Sequence, residues 1–569
     1  MKNRQRYILW MLVVIISVNL LVGVSAIFYP TVYAFTGSAA LDKDVLLHPA
    51  DQDGDWRLIM SETILYLLGW QQGTNTLEYA IRAAYLWQNG EYYTFDSEQT
   101  GSLRWVLQSA PPEGEQEGEV IIEGETVPAS VIFTLGPAEA VAQGTVWYLD
   151  GNGPFISGES SGSISPGSHV VSFSVLAGWI RPEGRRLLLE PGEVYEAVVN
   201  YTAQLKSTDL VVFGYNELGM HCMNQDFSEF MILPPYNTLY AQIVDRTHGS
   251  PEIVRSGVAL RYTIQSNTVS NTKTNFWEYA EQLFGRTIAP NVGLTGNQLS
   301  GVMTVHASPR TDWVVTGIPI TPLDDTGTEN PYPLATITVS RGGQDIVQTQ
   351  AVVPVSWEIS CEMCHNTPGI TPATDILRKH DEMHATTLES VRPVACGKCH
   401  AQPELGMPGN GTSHNLSRAM HGAHASRMTG ELSVTCYACH PGIRTQCQRD
   451  VHLSRGMNCV DCHGEMSDVA DPVRVPWETE PRCETCHDSM APAAYEFEQP
   501  GVLYRNSKGH RNIMCAACHG SPHAITPTVK IEDNIQAIAI QGHAGVINTC
   551  SVCHSEVPDD PFPHSIHEE

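Results

Sequence analysis

The chain is poor in basic residues, and it lacks cysteine over most of its length. Only 33 of its 569 residues are Lys or Arg, against 62 Asp or Glu, and the formal net charge is -29 at pH 7. So acidic a chain repels phosphate backbones, which argues against nucleic acid as a partner. No cysteine precedes Cys222, which argues against a lipid attached to an N-terminal cysteine.

Long hydrophobic runs are also rare, with one exception at the N-terminus. Three basic residues precede an apolar run over residues 8–24, and a small-residue cleavage site follows at Ala26. This pattern predicts that residues 1–26 are an export signal. Because the run approaches the roughly 20 residues that span a bilayer, a retained membrane anchor stays open as the alternative. We expect a periplasmic, cell-surface or extracellular protein.

Cysteine and histidine are concentrated at the other end of the chain. After residue 355 lie 15 of the 16 cysteines and 18 of the 23 histidines. The length predicts several domains, and this change in composition predicts the main boundary between them. We expect a mainly β N-terminal part and a loop-rich C-terminal domain of coil and short helices. The predicted segments after the signal are 45–100, 125–203, 205–355 and 356–569.

The segment from Asp51 to Glu62 has carboxylates at the first, third, fifth and twelfth places of a calcium loop, namely Asp51, Asp53, Asp55 and Glu62. Apolar residues at helical spacing follow it. Residues 45–100 therefore resemble a half EF-hand or dockerin-type repeat, which implies a calcium site. The pattern departs at the sixth place, where Trp56 replaces the turn glycine. The alternative is an acidic turn that caps a helix.

Two regions alternate short β-branched runs with Gly, Ser and Pro turns, which predicts strands. In the first, strands are predicted at residues 130–133, 144–148 and 169–173, and this region resembles an immunoglobulin-like module of bacterial surface proteins. In the second, strands are predicted at 210–215, 239–244, 259–265, 335–340 and 352–357. The last of these leads into the C-terminal domain without a linker, so we expect the two to pack together.

The sequence Cys-x-x-Cys-His occurs seven times, and we number the copies as motifs 1 to 7 in chain order. The motif residues are Cys361, Cys364, His365; Cys396, Cys399, His400; Cys436, Cys439, His440; Cys459, Cys462, His463; Cys483, Cys486, His487; Cys515, Cys518, His519; and Cys550, Cys553, His554. In this pattern two thiols form thioethers with a haem and the histidine becomes the proximal iron ligand. The sequence therefore predicts seven covalently bound haems of the c type.

Disulfides or zinc would not require a histidine after every cysteine pair, so haem is the favoured interpretation. The region after residue 360 resembles the multihaem c-type cytochromes of bacteria that respire on metals or other external acceptors. Because long hydrophobic stretches are few there, we expect the region to fold poorly without its cofactors.

Eleven further histidines are available after residue 355 as second axial ligands, enough for all seven irons. Several stand just ahead of a motif, and Met420 to His424 resembles the short His-x-x-His segments that serve adjacent haems in outer-surface cytochromes. The predicted distal ligands are His384, His421, His424, His452, His510, His523 and His543. His380 competes with His384, whereas His564 and His567 at the tail are expected to be exposed.

Two cysteines lie outside the motifs, Cys222 and Cys447. They could pair in an oxidising compartment and join the second β domain to the haem domain. Residues 220–223, with a soft ligand at each place, allow a metal site or a donated haem ligand. The alternative, which we favour, is a buried histidine and thiol in a β domain.

These features together predict an electron conduit with mostly bis-histidine haems. A multihaem reductase of a small nitrogen or sulfur oxyanion would need one open iron, and such enzymes often carry one anomalous motif, which this sequence lacks. A haem-bearing filament subunit is a third alternative. We expect redox partner proteins or external electron acceptors as partners, with self-assembly left open, and a partner that docks by charge should be basic or a metal ion.

Overall fold

The fold is described from a computed structural model of the chain. It describes residues 47–51, 57–58, 63, 66, 79, 82–83, 86, 92–95, 104–107, 127–248, 250–429, 436–442, 445–476, 478–487, 498, 501–559 and 564. The predicted export signal lies outside these residues. The chain forms two compact units, residues 1–123 and 124–569.

The first unit combines helical residues with a small hairpin. Thr63, Tyr66, Tyr79, Arg82, Ala83 and Leu86 are helical. Strands β1 (Tyr93–Phe95) and β2 (Trp105–Leu107) pair antiparallel. A core of seven buried residues stabilises this part of the unit: Ala50, Leu58, Tyr66, Ala83, Leu86, Tyr93 and Trp105.

The second unit begins with a two-sheet β structure. Its elements are β3 (Ser130–Gly136), α1 (Ala138–Val141), β4 (Trp147–Leu149), β5 (Asn152–Phe155), β6 (Gly167–Phe173), β7 (Trp179–Ile180), β8 (Arg185–Leu189), β9 (Val194–Asn200) and β10 (Thr202–Ala203). Its two main sheets are the parallel pair β3–β9 and the four strands in the order β5-β4-β6-β8, and β7 pairs with β10 outside them. Alternate residues of both sheets, such as Phe133, Trp147 and Phe173, meet in one core, as the alternating pattern predicts.

A strongly curved eight-stranded antiparallel sheet follows. The elements of this part of the chain are β11 (Leu210–Asn216), β12 (His221–Cys222), β13 (Phe230–Met231), β14 (Leu239–Asp245), β15 (Glu252–Ile253), β16 (Ala259–Ile264), α2 (Phe276–Phe284), β17 (Ser300–Val305), β18 (Trp313–Val315), β19 (Leu334–Arg341), β20 (Gln344–Val352) and β21 (Val355–Ser356). The order is β11-β14-β18-β17-β16-β19-β20, with β15 paired to β14, whereas β12, β13 and β21 lie outside this sheet.

The two ends of this sheet also approach each other, so that the sheet is nearly closed. A Cβ at Gly214 of β11 would lie 2.9 Å from the Cβ of Ala351 on β20, and this close approach explains a glycine in the middle of a strand. The predicted last strand, residues 352–357, is divided at Pro354. Because proline has no N–H to donate to a sheet, β20 ends at Val352 and β21 begins afresh at Val355.

Two short parallel pairs fix the start of the C-terminal region. Strand β21 pairs with β12, and it ends five residues before Cys361. Strand β22 (Val394–Ala395) pairs with β13 and leads directly into Cys396. The β domain therefore holds the first two motifs by backbone hydrogen bonds.

The C-terminal region is loop-rich and contains short helices, as the sequence predicts. Its helices are α3 (Pro372–His384), α4 (Leu416–Ala425), α5 (Val451–Ser454), α6 (Cys459–His463), α7 (Met466–Val469), α8 (Glu484–His487), α9 (Cys515–His519) and α10 (Ile531–Gln541), and strands β23 (Lys508–Gly509) and β24 (Ile513–Met514) form a hairpin. Side chains cap the helices α3 and α4 at their first turns. Thr371 accepts from the N–H of Thr374 at the start of α3, and Asn415 does so from Arg418 at the start of α4.

The β domain packs against this region along one face of its sheet. Val211, Phe213 and Tyr215 of β11 lie in one apolar cluster with Ala516 and Ala517 of motif 6. The small alanines allow α9 to approach the sheet closely. The expected packing of the two regions is therefore present. None of the helices in the described part of the chain is long and apolar enough to cross a membrane.

Candidate functional site

One large cavity runs through the C-terminal region. Its volume is about 2930 Å³, and all 21 motif residues line it. An ordinary small-molecule pocket measures roughly 300–1,000 Å³. The seven motifs therefore open into one continuous space that is several times larger than a single ligand would need.

Each motif is a short helical turn, and this explains its spacing. In motif 1 the N–H of His365 donates to the carbonyl of Cys361 at 2.9 Å, and the corresponding bond in motif 2 joins His400 to Cys396 at 2.9 Å. Residues three and four apart lie on the same face of a helical turn. Both thiols and the imidazole of a motif are thus presented on one side of the backbone.

The histidine of every motif lies opposite a second histidine. The ring-centre distances are 6.3 Å for His365 and His424, 6.3 Å for His400 and His380, 6.1 Å for His440 and His421, 6.0 Å for His463 and His523, 6.4 Å for His487 and His452, 5.7 Å for His519 and His564, and 6.0 Å for His554 and His510. We name these pairs sites 1 to 7, after the motif that each contains.

The distances fit two imidazoles on opposite sides of one metal ion. With histidine metal–nitrogen bonds of about 2.0–2.1 Å, as on zinc, two such rings have centres about 6 Å apart. The seven measured distances, from 5.7 to 6.4 Å, all lie near this value. The donor set of two thiols and two imidazoles at each site therefore suits covalent haem with two axial histidines.

Hydrogen bonds at Nδ1 orient several of these rings. His365 donates to the carboxylate of Asp375 at 3.1 Å, and His452 donates to Asp450 at 2.9 Å. In helix α4, His421 and His424 donate to backbone carbonyls four residues back, at 2.9 and 2.6 Å. A histidine that donates through Nδ1 presents the lone pair of Nε2 to a metal, and such bonds orient metal-binding imidazoles.

Burial favours the neutral form, which binds metals, in three of the paired imidazoles. It lowers the pKa of His421, His519 and His523 to about 4, with the paired histidine adding to the effect.

Two of the second histidines also have a left-handed backbone, with φ of 39° at His510 and 63° at His523. Non-glycine residues rarely adopt this conformation, and where they do it often marks a functional position.

The structure brings five of the seven predicted distal histidines opposite a motif histidine: His421, His424, His452, His510 and His523. It places the other two differently. His384 lies one helical turn beyond His380, and it is His380 whose ring faces His400. The Nδ1 of His543 lies 3.1 Å from the neighbouring carbonyl of Ala544.

Site 6 instead contains His564, which the sequence predicts to be exposed. In the sequence, only its residue type marks His564 as a possible ligand. It lies 45 positions after His519, and no motif follows it to fix its place beside a haem. His567, the other histidine of the tail, lies outside the described residues.

The calcium prediction rests mostly on residues that the structure does not describe. Asp53, Asp55 and Glu62 lie outside the described residues. Asp51 is buried, and its carboxylate accepts a hydrogen bond of 2.5 Å from the hydroxyl of Tyr93. The calcium site stays a prediction.

The two cysteines outside the motifs line the same cavity as free thiols. Burial raises the pKa of both Cys222 and Cys447, and the negative charge that Cys447 can carry adds to the effect on Cys222. His221 beside them is buried, and burial lowers its pKa. Its Nε2 lies 3.8 Å from a carboxylate oxygen of Glu217. This arrangement agrees with the favoured interpretation of a buried histidine and thiol.

Residues 451–560 match the family model of Cytochrome c3. This segment contains motifs 4 to 7. The match identifies a cytochrome c3-like domain at the C-terminus and supports a multihaem electron-transfer role, and the family implies covalently bound haem c.

No curated protein matches the chain. Among solved structures, DUF3823 family proteins from Bacteroides ovatus and Parabacteroides merdae each align with 40% of this chain and 98% of their own, at 11% and 9% identity and TM-scores of 0.12 and 0.11. A putative pore-forming toxin from Bacteroides vulgatus aligns over 39% of this chain and 87% of its own, at 10% identity and a TM-score of 0.11. At these TM-scores the similarities support no conclusion on fold or function.

Proposed function

We propose that the chain is an electron conduit with seven covalently attached haems, each held between the two histidines of its site. The observation that carries this proposal is the set of seven histidine pairs, all at 5.7 to 6.4 Å, around one cavity lined by every motif cysteine. A bound haem iron supplies a centre that gains or loses one electron. The chain's residues attach, orient and enclose these centres.

The motif cysteines bind covalently, so they fix the position of each cofactor in the cavity. The two imidazoles of each site would hold the iron of a bound haem, and the identity of the iron's ligands is a main control on its reduction potential. Hydrogen bonds such as that from His365 to Asp375 hold the rings in place and raise their basicity. A haem iron that both imidazoles of a site held would have no place for a small substrate, which favours the conduit over a reductase.

The proposed setting is an exported one, in which the chain exchanges electrons with redox proteins or external acceptors. The apolar N-terminal run of residues 8–24 supports export, and the net charge of -29 favours a basic partner or a metal ion. The haem count of seven rests on seven complete motifs, of which the family match covers the last four.

Two measurements on the purified protein test the proposal. Its intact mass should correspond to seven covalent haems. Carbon monoxide should bind the reduced protein poorly, because it must displace a histidine that the fold holds at each site. Fewer than seven haems in fully matured protein, or tight binding of carbon monoxide at one haem with turnover of nitrite or hydroxylamine, would contradict the conduit and favour the reductase.

A further inference from the structure

We propose that site 4 is the junction of the seven sites, through which sites 1 to 3 exchange electrons with sites 5 to 7. This inference rests on the proposed function. It follows from the contacts of the segments around motif 4, which reach motifs 3, 5 and 6 directly.

Motif 4 touches motif 3 through the attachment residues themselves. The sulfur atoms of Cys459 and Cys436 lie within hydrogen-bonding reach of each other, and the hydroxyl of Tyr437 in motif 3 lies within the same reach of Cys459. Because each thiol is an attachment point, the cofactors of sites 3 and 4 are fixed to neighbouring atoms.

Motif 4 reaches motif 5 through the helix that precedes it. His452, the second histidine of site 5, lies in α5, seven residues before Cys459. Asp450 caps this helix by accepting from the N–H of Leu453 at 3.0 Å, and it also holds Nδ1 of His452. The N–H of Met457 donates to the carbonyl of His452 at 3.1 Å. One short segment therefore positions both motif 4 and the ligand of site 5.

Motif 4 reaches motif 6 through its own second histidine. His523, opposite His463, follows His519 of motif 6 by four residues. The segment that contains His523 pairs with the one before motif 4, since the N–H of Arg449 donates to the carbonyl of His523 at 2.9 Å, and that of Val451 to Ile525 at 3.0 Å. Backbone hydrogen bonds thus join the ligand segments of sites 4, 5 and 6.

The other sites share elements with fewer neighbours. Helix α3 contains Asp375, which bonds His365 of site 1, and also His380 of site 2. Helix α4 contains His424 of site 1 and His421 of site 3. Site 7 adjoins site 6, because its ligand His510 lies in the β23–β24 turn that leads into motif 6. Of the elements named above, all of which lie in the described part of the chain, only those around motif 4 contact both sites 1 to 3 and sites 5 to 7.

Paired motif deletions in the full-length holoprotein test the junction. The variant Cys459→Ala/Cys462→Ala removes the attachment at site 4, and Cys550→Ala/Cys553→Ala is the matched control at site 7. Each should lose one haem by intact mass. In the paramagnetic proton spectrum of the ferric protein, the first change should move the haem-methyl resonances of three remaining sites and the control those of one. The same number of affected sites in both variants would overturn the junction.

A second pair of variants keeps all the thioether bonds, so it does not depend on folding with a missing haem. His523→Met should raise the potential of site 4 and slow equilibration among the seven haems after a pulse of reductant by about tenfold. His510→Met, its control at site 7, should have a much smaller effect. Equal rates with seven haems attached would overturn the junction and leave the proposed conduit intact, whereas a haem count below seven in the unmodified protein would contradict the conduit itself.

Discussion

The curved β domain and the motif-bearing region are stabilised in different ways. The β domain, from β11 to β21, buries one large apolar core that includes Phe227, Phe276 and Ile337 with almost no exposure. The region after it has only short helices, and its centre is the cavity lined by the motifs. Its buried apolar residues lie mainly where it meets the β domain, as Ala516 and Ala517 do.

This difference shows that the two regions depend on different interactions for their stability. A sheet with a continuous apolar face can fold by burying its own side chains. A region whose interior is lined by thiols and imidazoles depends on the groups that those side chains bind, as metal-dependent domains do. The β domain then acts as a preformed support, to which β21 and β22 fasten motifs 1 and 2.

The largest expected effect is that of withholding haem. When the full chain is made without haem attachment, we expect residues after about 360 to lose their fold, because their interior has no other filling. Residues 127–356 should stay folded. Limited proteolysis followed by mass spectrometry should give a protected fragment that ends near the first motif. Equal protection of both regions in the haem-free chain would show that the comparison is wrong.

The second prediction concerns a substitution in the core of the β domain, which should destabilise that domain and leave the haem region folded. Phe276 is fully buried in the core, so Phe276→Ala should cost about 3–5 kcal/mol of stability. Val302 is 68% exposed on β17, and Val302→Ala, the control, should change stability by less than about 0.5 kcal/mol. Calorimetry of the holoprotein measures the effect. Loss of the low-spin haem spectrum in the Phe276 variant before its β domain unfolds would contradict the separation of the two regions.

A smaller and local effect distinguishes two histidines of one helix. His380→Ala should open site 2, so that one haem in seven becomes high-spin and binds carbon monoxide. His384→Ala removes the same side chain one turn further along α3 and should leave every haem low-spin. Absorption spectra of the two variants measure this. High-spin haem in the His384 variant alone would show instead that His384, the ligand that the sequence predicts, binds the iron of site 2.

The smallest effect concerns the hydrogen bond to the histidine of motif 1. Lys379 donates to Asp375 and, with Thr367 and His365, holds the pKa of that carboxyl at about 2. Asp375→Asn keeps the shape and removes the charge, so the basicity of His365 should fall and the potential of site 1 should rise slightly. A redox titration should detect the shift in one haem of seven. An unchanged titration would show that the bond only orients the ring.

The pH dependence of the same carboxyl follows from the direction of its shift. Because its pKa is lower in the folded chain than the usual value of about 3.9, Asp375 contributes stability that is present above about pH 4. That contribution should be lost as the pH falls from about 4 to about 2. Unfolding measurements should therefore show the native protein to be more stable than Asp375→Asn at neutral pH, with the difference in stability lost as the pH falls to about 2.

Much of the fold could be predicted from local patterns. Alternating β-branched runs located strands such as β6, β11 and β14 to within two residues, because each strand buries alternate or all side chains. Pro354 divided the last predicted strand, although its missing N–H is visible in the sequence. The pairing of β12 with β21 could not be predicted, because it joins residues more than 130 positions apart.

The candidate site also has a part that the sequence predicts and a part that it does not. The motifs are local, since two thiols and an imidazole on one helical turn need no other part of the chain. The second histidines come from distant segments. His380 and His384 lie on one face of α3, so spacing alone could not separate them, and His564 reaches site 6 from the tail. The sequence could predict His452 and His510 as second ligands because each lies only a few residues before a motif.

The most direct test of the account is to count low-spin ferric haem in the oxidised holoprotein by electron paramagnetic resonance, relative to total covalent haem. Every iron held between two histidines should be low-spin, so the account expects seven low-spin haems per chain and no high-spin signal. A high-spin haem in the native protein, or a low-spin count below seven in fully loaded chains, would contradict the seven histidine pairs.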